Sequence, residues 1–564
     1  MEHAAEVRLI MRPGVSPDTA PDRRPPLPEP SETHEDGLRI SRNVAVRLRD
    51  GVRIYVDLYR PASGGDRDLP TLLGWSPYGK HRTAARLPWP EADVQPGWIS
   101  RHTAFEAPDP AFWCARGFAV VYPDPRGAWY SEGELRHGGL GESQDCADLI
   151  EWLATQPWSN GRVGMSGVSY LTAIQWQVAA LRPAALAAIN PWEGFTDWYR
   201  EFAYHGGIPE TSFLPRGSAN LQWSTTRTED TPANAAAHPL HDAYWRSKEI
   251  ELERIVAPAW VVASWSDQGL HTRGTLEGFR RIASPQKWLE VHGRKKWHYY
   301  YRPDNLVRQR EYFAHFLQRT STVVPAWPPV RVEVRERANV GSMHEARAWP
   351  LPEAQYTRLH LDAGGSPAAG RLVAAAPSHS ATLRYPVADP EGRVTFDYRF
   401  TVATEVTGHV RLHAWVEAIG ADDMDLFVAL HKLDAQGRFV PFVFYAMAED
   451  GPVALGWQRV SHRALDAERS RPEMPVHPHD REERLAPGEI VPVDVEIWPS
   501  STRFAAGETL RLVIAGRDTV KPSVPRAPFA LHERTRNAGT HVIHTGGRFD
   551  GWLQIPVIPD RAAA

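Results

Sequence analysis

The chain has 564 residues, of which 42% are hydrophobic and 23% are charged, a composition typical of a soluble globular protein and not of a disordered chain. Its length predicts roughly two to four domains. The formal net charge of −4 gives no reason to expect a nucleic-acid partner. No run approaches about 18 consecutive apolar residues, so neither a transmembrane helix nor a membrane partner is expected.

The cysteines and the N-terminal segment indicate the cellular context. Cys114 and Cys146 are the only cysteines, too few for a secreted domain held by disulfides. The N-terminus has no long apolar segment followed by a small-residue cleavage site. We therefore expect a cytoplasmic protein with two buried thiols. Seven of the first 30 residues are proline, which disfavours helices and central strands, so residues 1–38 are interpreted as a disordered tail.

Residues 39–325 alternate between strand-like and helix-like runs, which predicts crossover connections and a mainly parallel α/β sheet. An aromatic-rich and charged stretch at about 192–255 interrupts the alternation and is interpreted as a helical cap, with candidate helices at 220–223 and 239–254. The predicted strands are 52–58, 71–74, 118–122, 162–165, 259–264 and 288–291. The other predicted helices are 145–155, 170–181 and 307–317.

Residues 326–564 have a different texture, with short alternating runs separated by Gly, Pro and Asp turn signals. This spacing predicts a C-terminal β-sandwich or jelly roll. The predicted strands are 330–334, 356–361, 394–400, 409–416, 426–431, 491–497, 509–514 and 540–544.

The most informative stretch runs from Gly161 to Thr172. A strand ends, a Gly-x-Ser sequence follows and a helix begins at once, which is the context of a nucleophile elbow. Gly167 permits the tight turn, Ser169 projects from the sheet edge, and the backbone N–H of Tyr170 would be one oxyanion donor. Ser166 also follows a glycine by two positions, but it falls before the turn. A plain strand-to-helix turn with a capping serine is the structural alternative.

Candidates for the acid and the base follow later strands, in the chain order Ser, Asp, His that this architecture uses. Asp267 comes just after the strand 259–264, and His292 and His298 come just after the strand 288–291. Polar residues at the carboxyl ends of parallel strands converge on one edge of the sheet. A histidine there would take the serine proton, and an aspartate would hold the imidazole and stabilise its protonated form.

Together these motifs resemble the cocaine esterase and X-prolyl dipeptidyl-peptidase group of α/β-hydrolases, which includes α-amino-acid ester hydrolases and glutaryl acylases. The resemblance covers residues 40–560 and implies an α/β-hydrolase fold with a helical cap insertion, followed by a jelly-roll β-sandwich. The motifs that carry it are Ser76–Lys80, Asp124–Gly127 with Ser131 and Gly133, Ile150–Gly161, Val163–Tyr170, and Pro487–Glu489 with Gly507.

The resemblance implies roles for individual residues. Ser169 matches the nucleophile, Asp267 the triad acid, and Tyr78 the tyrosine whose hydroxyl completes the oxyanion hole with Tyr170. The family often has glycine three positions after the nucleophile, where this chain has Thr172.

The histidine is the weakest match, because the family's Gly-Pro-Trp-x-His sequence is absent. Related branches place a histidine at the start of a His-x-x-x-x-Trp pattern, which favours His292 over the alternative base His298. His271 ranks third and is interpreted as a residue that lines the pocket.

We therefore expect a serine hydrolase that cleaves an ester or amide bond of a small molecule through a Ser-His-Asp triad and an acyl-enzyme, without a metal or organic cofactor. X-prolyl dipeptidyl-peptidase and β-lactam acylase activities stay open, with Glu193, Glu201 and Glu210 as candidate ligands of a substrate amine. A non-catalytic ligand- or carbohydrate-binding protein is the alternative of another class. The oligomeric state stays open, a homodimer being one of the states allowed.

The 22 tryptophans lead to a further expectation, because ten of them fall in the motifs or in the predicted cap. They predict an aromatic-walled acyl pocket. The ten are Trp75, Trp129, Trp158, Trp176, Trp192, Trp198, Trp223, Trp245, Trp265 and Trp297.

Overall fold

The structure, a computed structural model, describes residues 7–20, 29–63, 67–81, 90–364, 366, 368–520 and 530–559. Up to residue 346 its strands are β1 (Met11–Pro13), β2 (Ser31–Glu35), β3 (Leu38–Arg47), β4 (Arg53–Pro61), β5 (Leu69–Leu73), β6 (Ala119–Asp124), β7 (Ser159–Val168), β8 (Leu186–Trp192), β9 (Tyr204–His205), β10 (Ile208–Pro209), β11 (Arg227–Glu229), β12 (Ala259–Ser264), β13 (Lys287–His292), β14 (Val330–Arg337) and β15 (Val340–Ala346).

The helices all lie in this first part of the chain, as far as the described residues go. They are α1 (Pro110–Cys114), α2 (Leu140–Ala154), α3 (Tyr170–Leu181), α4 (Phe213–Asn220), α5 (Thr231–Ala237), α6 (Ala243–Arg246), α7 (Thr272–Arg281), α8 (Lys296–Tyr301) and α9 (Pro303–Phe313), besides single 3-10 or π turns. Within the part of the chain that the structure describes, none of the helices has the length and the apolar character that crossing a bilayer requires.

One large sheet organises the N-terminal part, in the order β2-β3-β4-β6-β5-β7-β8-β12-β13-β14-β15. The strands from β6 to β14 run parallel, and antiparallel strands extend both ends. The central parallel strands are buried along most of their length, as at Ala259–Ser264, because helices cover both faces. This is the α/β-hydrolase fold that the sequence predicted. The thiols of Cys114 and Cys146 are free and buried in the packed layers, as expected.

The predicted strands of this sheet all lie within or overlap observed strands, but β2, β3 and β15 at its two ends were missed, and so was the central strand β8. Its sequence, Leu-Ala-Ala-Ile-Asn-Pro-Trp, contains alanine, asparagine and proline, which are poor strand formers. Pairing with β7 on one side and β12 on the other makes it a strand nevertheless. Tertiary context here overrides local preference.

Three predicted boundaries differ from the structure. Met11–Pro13 and Ser31–Glu35 are not part of a disordered tail, because the first pairs with Arg227–Glu229 in the cap and the second pairs with β3; residues 1–6 and 21–28 lie outside the described residues. Of the predicted helix 220–223 only Asn220 is helical, as the last residue of α4. The predicted helix 239–254 contains only the short helix α6 and a 3-10 turn at Leu252–Arg254. The sheet also continues past residue 325, because β14 pairs in parallel with β13.

The C-terminal part is the predicted β-sandwich. One sheet contains β19, β27, β21 and β25, and the other is built on β20, which pairs with β26, β28 and β29. Alternate residues such as Val410, Leu412, Ala414 and Val416 point into the shared core. Its strands are β16 (Gln355–Asp362), β17 (Ala369–Val373), β18 (Ala381–Pro386), β19 (Arg393–Arg399), β20 (Thr404–Ile419), β21 (Asp425–Leu433), β22 (Phe439–Val440), β23 (Phe442–Phe444), β24 (Ala448–Gly451), β25 (Ala454–Arg459), β26 (Val491–Phe504), β27 (Thr509–Ala515), β28 (Thr540–Thr545) and β29 (Trp552–Ile558).

A buried ion cluster joins the cap, the sheet layer and the sandwich. The guanidinium of Arg273, on α7, lies 2.6 Å from Glu201 of the cap and 3.0 Å from Glu496 of β26. Its side chain is only 7% exposed. A charge removed from water in this way is stable only with its partners in place. The Arg273 pairs therefore stabilise one arrangement of the cap, the sheet layer and the sandwich.

We expect Arg273→Met to lower the free energy of unfolding by about 3–5 kcal/mol, because it leaves two buried carboxylates without their cation. Denaturant unfolding followed by circular dichroism measures the effect. The matched control is Arg281→Met, on the same helix, whose pair with Glu253 is largely solvated and should change the value by less than about 1 kcal/mol. Equal effects from the two variants would contradict the role given to Arg273.

Candidate active site

Ser169 occupies a strained turn between β7 and α3. Strand β7 ends at Val168, Ser169 has φ 61° and ψ −116°, and α3 begins at Tyr170. Non-glycine residues rarely adopt a positive φ, and such backbone strain concentrates at functional sites. The N–H of Ser169 donates to the carbonyl of Glu193 at 3.0 Å. The turn therefore presents the serine side chain at the carboxyl edge of the sheet, as the sequence predicted.

Two small details of sequence make this turn fit. Gly167 has φ 146°, and a Cβ there would lie 2.5 Å from Leu171, so any side chain would collide with the helix. Thr172 stands where the family often has glycine. Its hydroxyl lies 2.6 Å from the carbonyl of Trp192 and accepts the N–H of the same residue at 2.8 Å. The threonine thus ties α3 to β8 directly behind Ser169.

His271 is the histidine that contacts the serine. Its Nε2 lies 3.2 Å from the Oγ of Ser169, and its Nδ1 is hydrogen-bonded to Oδ2 of Asp267. The three side chains are buried, each no more than 8% exposed. Asp267 and His271 belong to the loop between β12 and α7, where the carbonyl of Asp267 accepts the N–H of His271 at 3.1 Å. One loop thereby supplies the candidate acid together with its histidine.

The structure does not bring His292 to Ser169, contrary to the sequence-based expectation. Its Nε2 lies 3.1 Å from Glu193, its Nδ1 accepts the N–H of Arg294 at 3.2 Å, and its ring stacks on Tyr299 at 3.8 Å. Both ring nitrogens are therefore engaged elsewhere. The His-x-x-x-x-Trp pattern and the position after the predicted strand 288–291 favour His292 in the sequence, but His292 is the last residue of β13 and its ring faces Glu193.

The alternative, His298, is also displaced from the serine. It lies on α8, where its Nδ1 is 2.9 Å from the carbonyl of Asp93 and its ring packs against Trp98. The signal that could have found His271 is its spacing: it follows Asp267 by four residues and comes immediately before α7, so both side chains share one turn.

A lysine that the sequence analysis did not consider completes the cluster. The Nζ of Lys296 lies 2.5 Å from Oδ2 of Asp267 and 2.9 Å from Nδ1 of His271. Burial disfavours the ionised carboxyl of Asp267, but Lys296 and His271 outweigh it, so the pKa of Asp267 lies below its ordinary value. Burial lowers the pKa of His271, and the charge of Lys296 lowers it further. At neutral pH the site thus holds a carboxylate, a neutral imidazole and an ammonium.

The two tyrosines predicted for the oxyanion hole lie beside the serine. Tyr170 is the first residue of α3, where a helix N–H has no acceptor within its own helix. Its phenol donates to Glu142 at 2.7 Å, which fixes the start of the helix. Tyr78 is half-buried, and its ring meets Tyr170 edge to face with centroids 6.1 Å apart. Both tyrosines and Ser169 border the same cavity.

That cavity has a volume of about 300 Å³ and is lined mainly by aromatic and aliphatic side chains. The charged exceptions are Glu106, Arg216, Asp267 and Lys296. The sandwich contributes Tyr445, Ala446 and Met447, which sequence reasoning had not assigned to the site. The apolar lining contributed by the first part of the chain comprises Phe105, Phe195, Trp198, Phe202, Phe213, Leu221, Leu270 and Trp297. The pocket is therefore closed by both parts of the molecule.

The expected aromatic wall is present, but phenylalanine and tyrosine together form most of it. Of the ten tryptophans named above, all within the described residues, Trp198 and Trp297 line the cavity. The other eight are used elsewhere: Trp75 donates to Glu142 at 2.9 Å, and Trp129 stacks on Trp223. Most of the tryptophan excess thus serves packing.

Among the described residues, one group has ligand atoms close enough together to share a metal ion, namely Glu35, Asp36 and His102. Asp36 is exposed and already pairs with Arg101 at 2.8 Å. The three residues do not border the cavity. The groups that surround the hydroxyl of Ser169 are the imidazole of His271, the carboxylate of Asp267 and the ammonium group of Lys296.

Comparison with known proteins agrees with this architecture. Residues 50–238 match the family model of X-Pro dipeptidyl-peptidase (S15 family), and residues 324–554 match the X-Pro dipeptidyl-peptidase C-terminal non-catalytic domain. The solved structure of a CocE/NonD family hydrolase from Staphylococcus aureus is 38% identical, with a TM-score of 0.90 over 97% of this chain and 98% of that one. The chain belongs to the CocE/NonD family of hydrolases.

More distant relatives place this CocE/NonD family member in a wider group. Cocaine esterase from Rhodococcus is 28% identical over 388 residues, which are 58% of this chain and 63% of the esterase; the chain thus spans less than two thirds of that relative. An α-amino acid ester hydrolase, 15% identical with a TM-score of 0.69, covers 96% of the chain and shares its fold. The resemblance inferred from the motifs is therefore confirmed.

We expect Gly167→Ala to destabilise the protein by at least about 2 kcal/mol, because the new Cβ meets Leu171 in a backbone conformation that alanine disfavours. Gly141→Ala is the control: it lies in α2 with no atom within 4 Å of the added Cβ, and it should be neutral or stabilising by up to about 1 kcal/mol. Urea midpoints measure both. A Gly167→Ala protein as stable as the parent would refute the steric account of this turn.

Proposed function

We propose that the protein is a serine hydrolase that cleaves an ester or amide bond of a small molecule through an acyl-enzyme. The observation that carries the proposal is the 3.2 Å contact between Oγ of Ser169 and Nε2 of His271, with Asp267 bonded to the other ring nitrogen. A hydroxyl is a weak nucleophile near neutral pH, and an adjacent neutral imidazole can remove its proton as it attacks. The carboxylate then stabilises the imidazolium that forms.

In this proposal the base is His271, and neither His292 nor His298 takes that role. Direct reach to the proton is the first requirement for a general base. His271 meets it, whereas the ring nitrogens of His292 are engaged by Glu193 and Arg294. The lowered pKa of His271 keeps it unprotonated at neutral pH, as a base must be.

Two donors would stabilise the tetrahedral intermediate. The backbone N–H of Tyr170 lies next to the nucleophile at the start of α3, and the phenol of Tyr78 borders the same cavity. Donors already in place where negative charge develops are worth a few kcal/mol in such reactions. As the tetrahedral intermediate collapses, the imidazolium of His271 would give its proton to the departing alcohol or amine. Water entering through the cavity would then attack the acyl-enzyme, with the neutral His271 acting as base a second time.

We expect Ser169→Ala to abolish both ester hydrolysis and labelling by a fluorophosphonate, and His271→Asn to lower kcat/KM for p-nitrophenyl acetate by at least about 10³-fold. His298→Asn is the matched control and should keep activity within about twofold, because this ring lies against Asp93, outside the cavity. A full loss of activity in His298→Asn with normal activity in His271→Asn would overturn the assignment. Native protein that no fluorophosphonate labels would favour the non-catalytic binding protein instead.

The acyl pocket favours a compact apolar or aromatic acyl group, because aromatic and aliphatic side chains form most of its wall. The match to the S15 family model supports a second candidate, an X-Pro dipeptidyl-peptidase. The cap glutamates suggested for amine binding do not border the cavity: Glu193 bonds Ser264, Glu201 bonds Arg273, and Glu210 caps α4. Among the described residues Glu106 is the glutamate that does.

A side-by-side assay separates these activities. We expect hydrolysis of p-nitrophenyl butyrate to exceed that of an Ala-Pro p-nitroanilide and of a β-lactam side-chain amide by at least about 100-fold in kcat/KM. The native enzyme, Glu106→Gln and Ser169→Ala would be compared, the last as the blank. Efficient anilide cleavage that Glu106→Gln abolishes while ester cleavage persists would establish the peptidase, and preferred cleavage of the β-lactam amide would establish the acylase.

A further inference from the structure

Lys296 is buried at the centre of the site although the Ser-His-Asp chemistry does not call for a lysine. It is the first residue of α8, and its side chain is 4% exposed. Its backbone N–H donates to the carbonyl of Ala446, in the sandwich, at 2.9 Å. Burying an ammonium group costs several kcal/mol unless charges compensate it, so its partners decide why it is tolerated.

Three carboxylates and the imidazole face this ammonium group. Asp267 and His271 come from the loop after β12 and touch Nζ directly. Glu193, at the end of β8, and Glu106, from the loop before α1, act at longer range. Burial lowers the pKa of Lys296, but these carboxylates outweigh it and leave the pKa above its ordinary value. The lysine therefore stays protonated wherever His271 titrates.

The geometry restricts where the protons lie. An ammonium group only donates hydrogen bonds, whereas Nδ1 of a neutral imidazole either donates or accepts. If Lys296 donated to Nδ1, the ring proton would sit on Nε2, which could then not receive the proton of Ser169. When Lys296 donates to Oδ2 of Asp267, the same oxygen still accepts the Nδ1 proton, and Nε2 keeps its lone pair toward the serine.

We propose that Lys296 is a positioning residue for the base: its ammonium group keeps Asp267 ionised as the acceptor of the Nδ1 proton, so that His271 stands neutral with Nε2 toward Ser169 down to acidic pH. This inference rests on the proposed serine hydrolase function. The proposal also explains why the ammonium group of Lys296 lies next to His271. A cation beside the imidazole disfavours the imidazolium at rest, so the base form survives to lower pH than that of an unassisted histidine.

The test is the pH dependence of Ser169 modification by a fluorophosphonate probe, which needs no knowledge of the substrate. In the native protein we expect the second-order labelling rate to decline toward acidic pH with a midpoint below 6.5, the ordinary pKa of an imidazole. This decline is called the acid limb, and its midpoint is the quantity compared between variants. Lys296→Met removes the charge at similar volume, and its acid limb should move up by about one pH unit or more. Lys296→Arg keeps the charge and should restore much of the native profile.

Lys295→Met is the matched control, because the neighbouring Lys295 pairs with Glu449 at 2.8 Å and does not border the cavity. Its acid limb should coincide with the native one. An unchanged limb in Lys296→Met, or a native limb at pH 7 or above, would overturn the proposal; the second measurement decides the matter even if Lys296→Met does not fold. Failure of the serine hydrolase proposal looks different, since the label would then persist in Ser169→Ala.

Discussion

The burial of Asp267 as a charged group is the constraint on which the rest of the site depends. Its side chain is 1% exposed, and a carboxylate removed from water is tolerated only where cations and donors replace the solvent. Lys296 and His271 do so at Oδ2. Because Lys296 is buried too, the ends of β8 and β12, the start of α8 and the loop before α1 have to converge on one point.

The β-sandwich is part of this arrangement and not an appendage. The carbonyl of Ala446 accepts the backbone N–H of Lys296, and Tyr445 and Met447 border the cavity. Arg273 adds a second link, joining the cap to β26 two residues after His271. Movement of the sandwich would therefore disturb the cavity beside Ser169 and the ion cluster together, because residues from both parts of the chain form the cavity wall.

Backbone strain and close packing fix the position of Ser169, whereas charge fixes the position of Asp267. The positive φ of Ser169 persists because Gly167 leaves room for Leu171 and because Thr172 ties α3 to β8. A turn secured from both sides presents one geometry to any substrate. The cavity wall lies outside this fixed turn, and in it aromatic residues from the cap meet residues from the sandwich.

The sequence by itself determined the features that depend on neighbours along the chain. The elbow around Ser169 follows from one glycine and a strand-to-helix turn, most sheet and sandwich strands follow from apolar periodicity, and Asp267 follows from its place after β12. Only the tertiary structure decided between His271 and His292. His292 ends β13 and His271 follows β12, so both lie at the same edge of the sheet. The side chain that reaches Ser169 is set by the packing of Glu193 and Lys296, which lie far apart in sequence and meet only when the layers close.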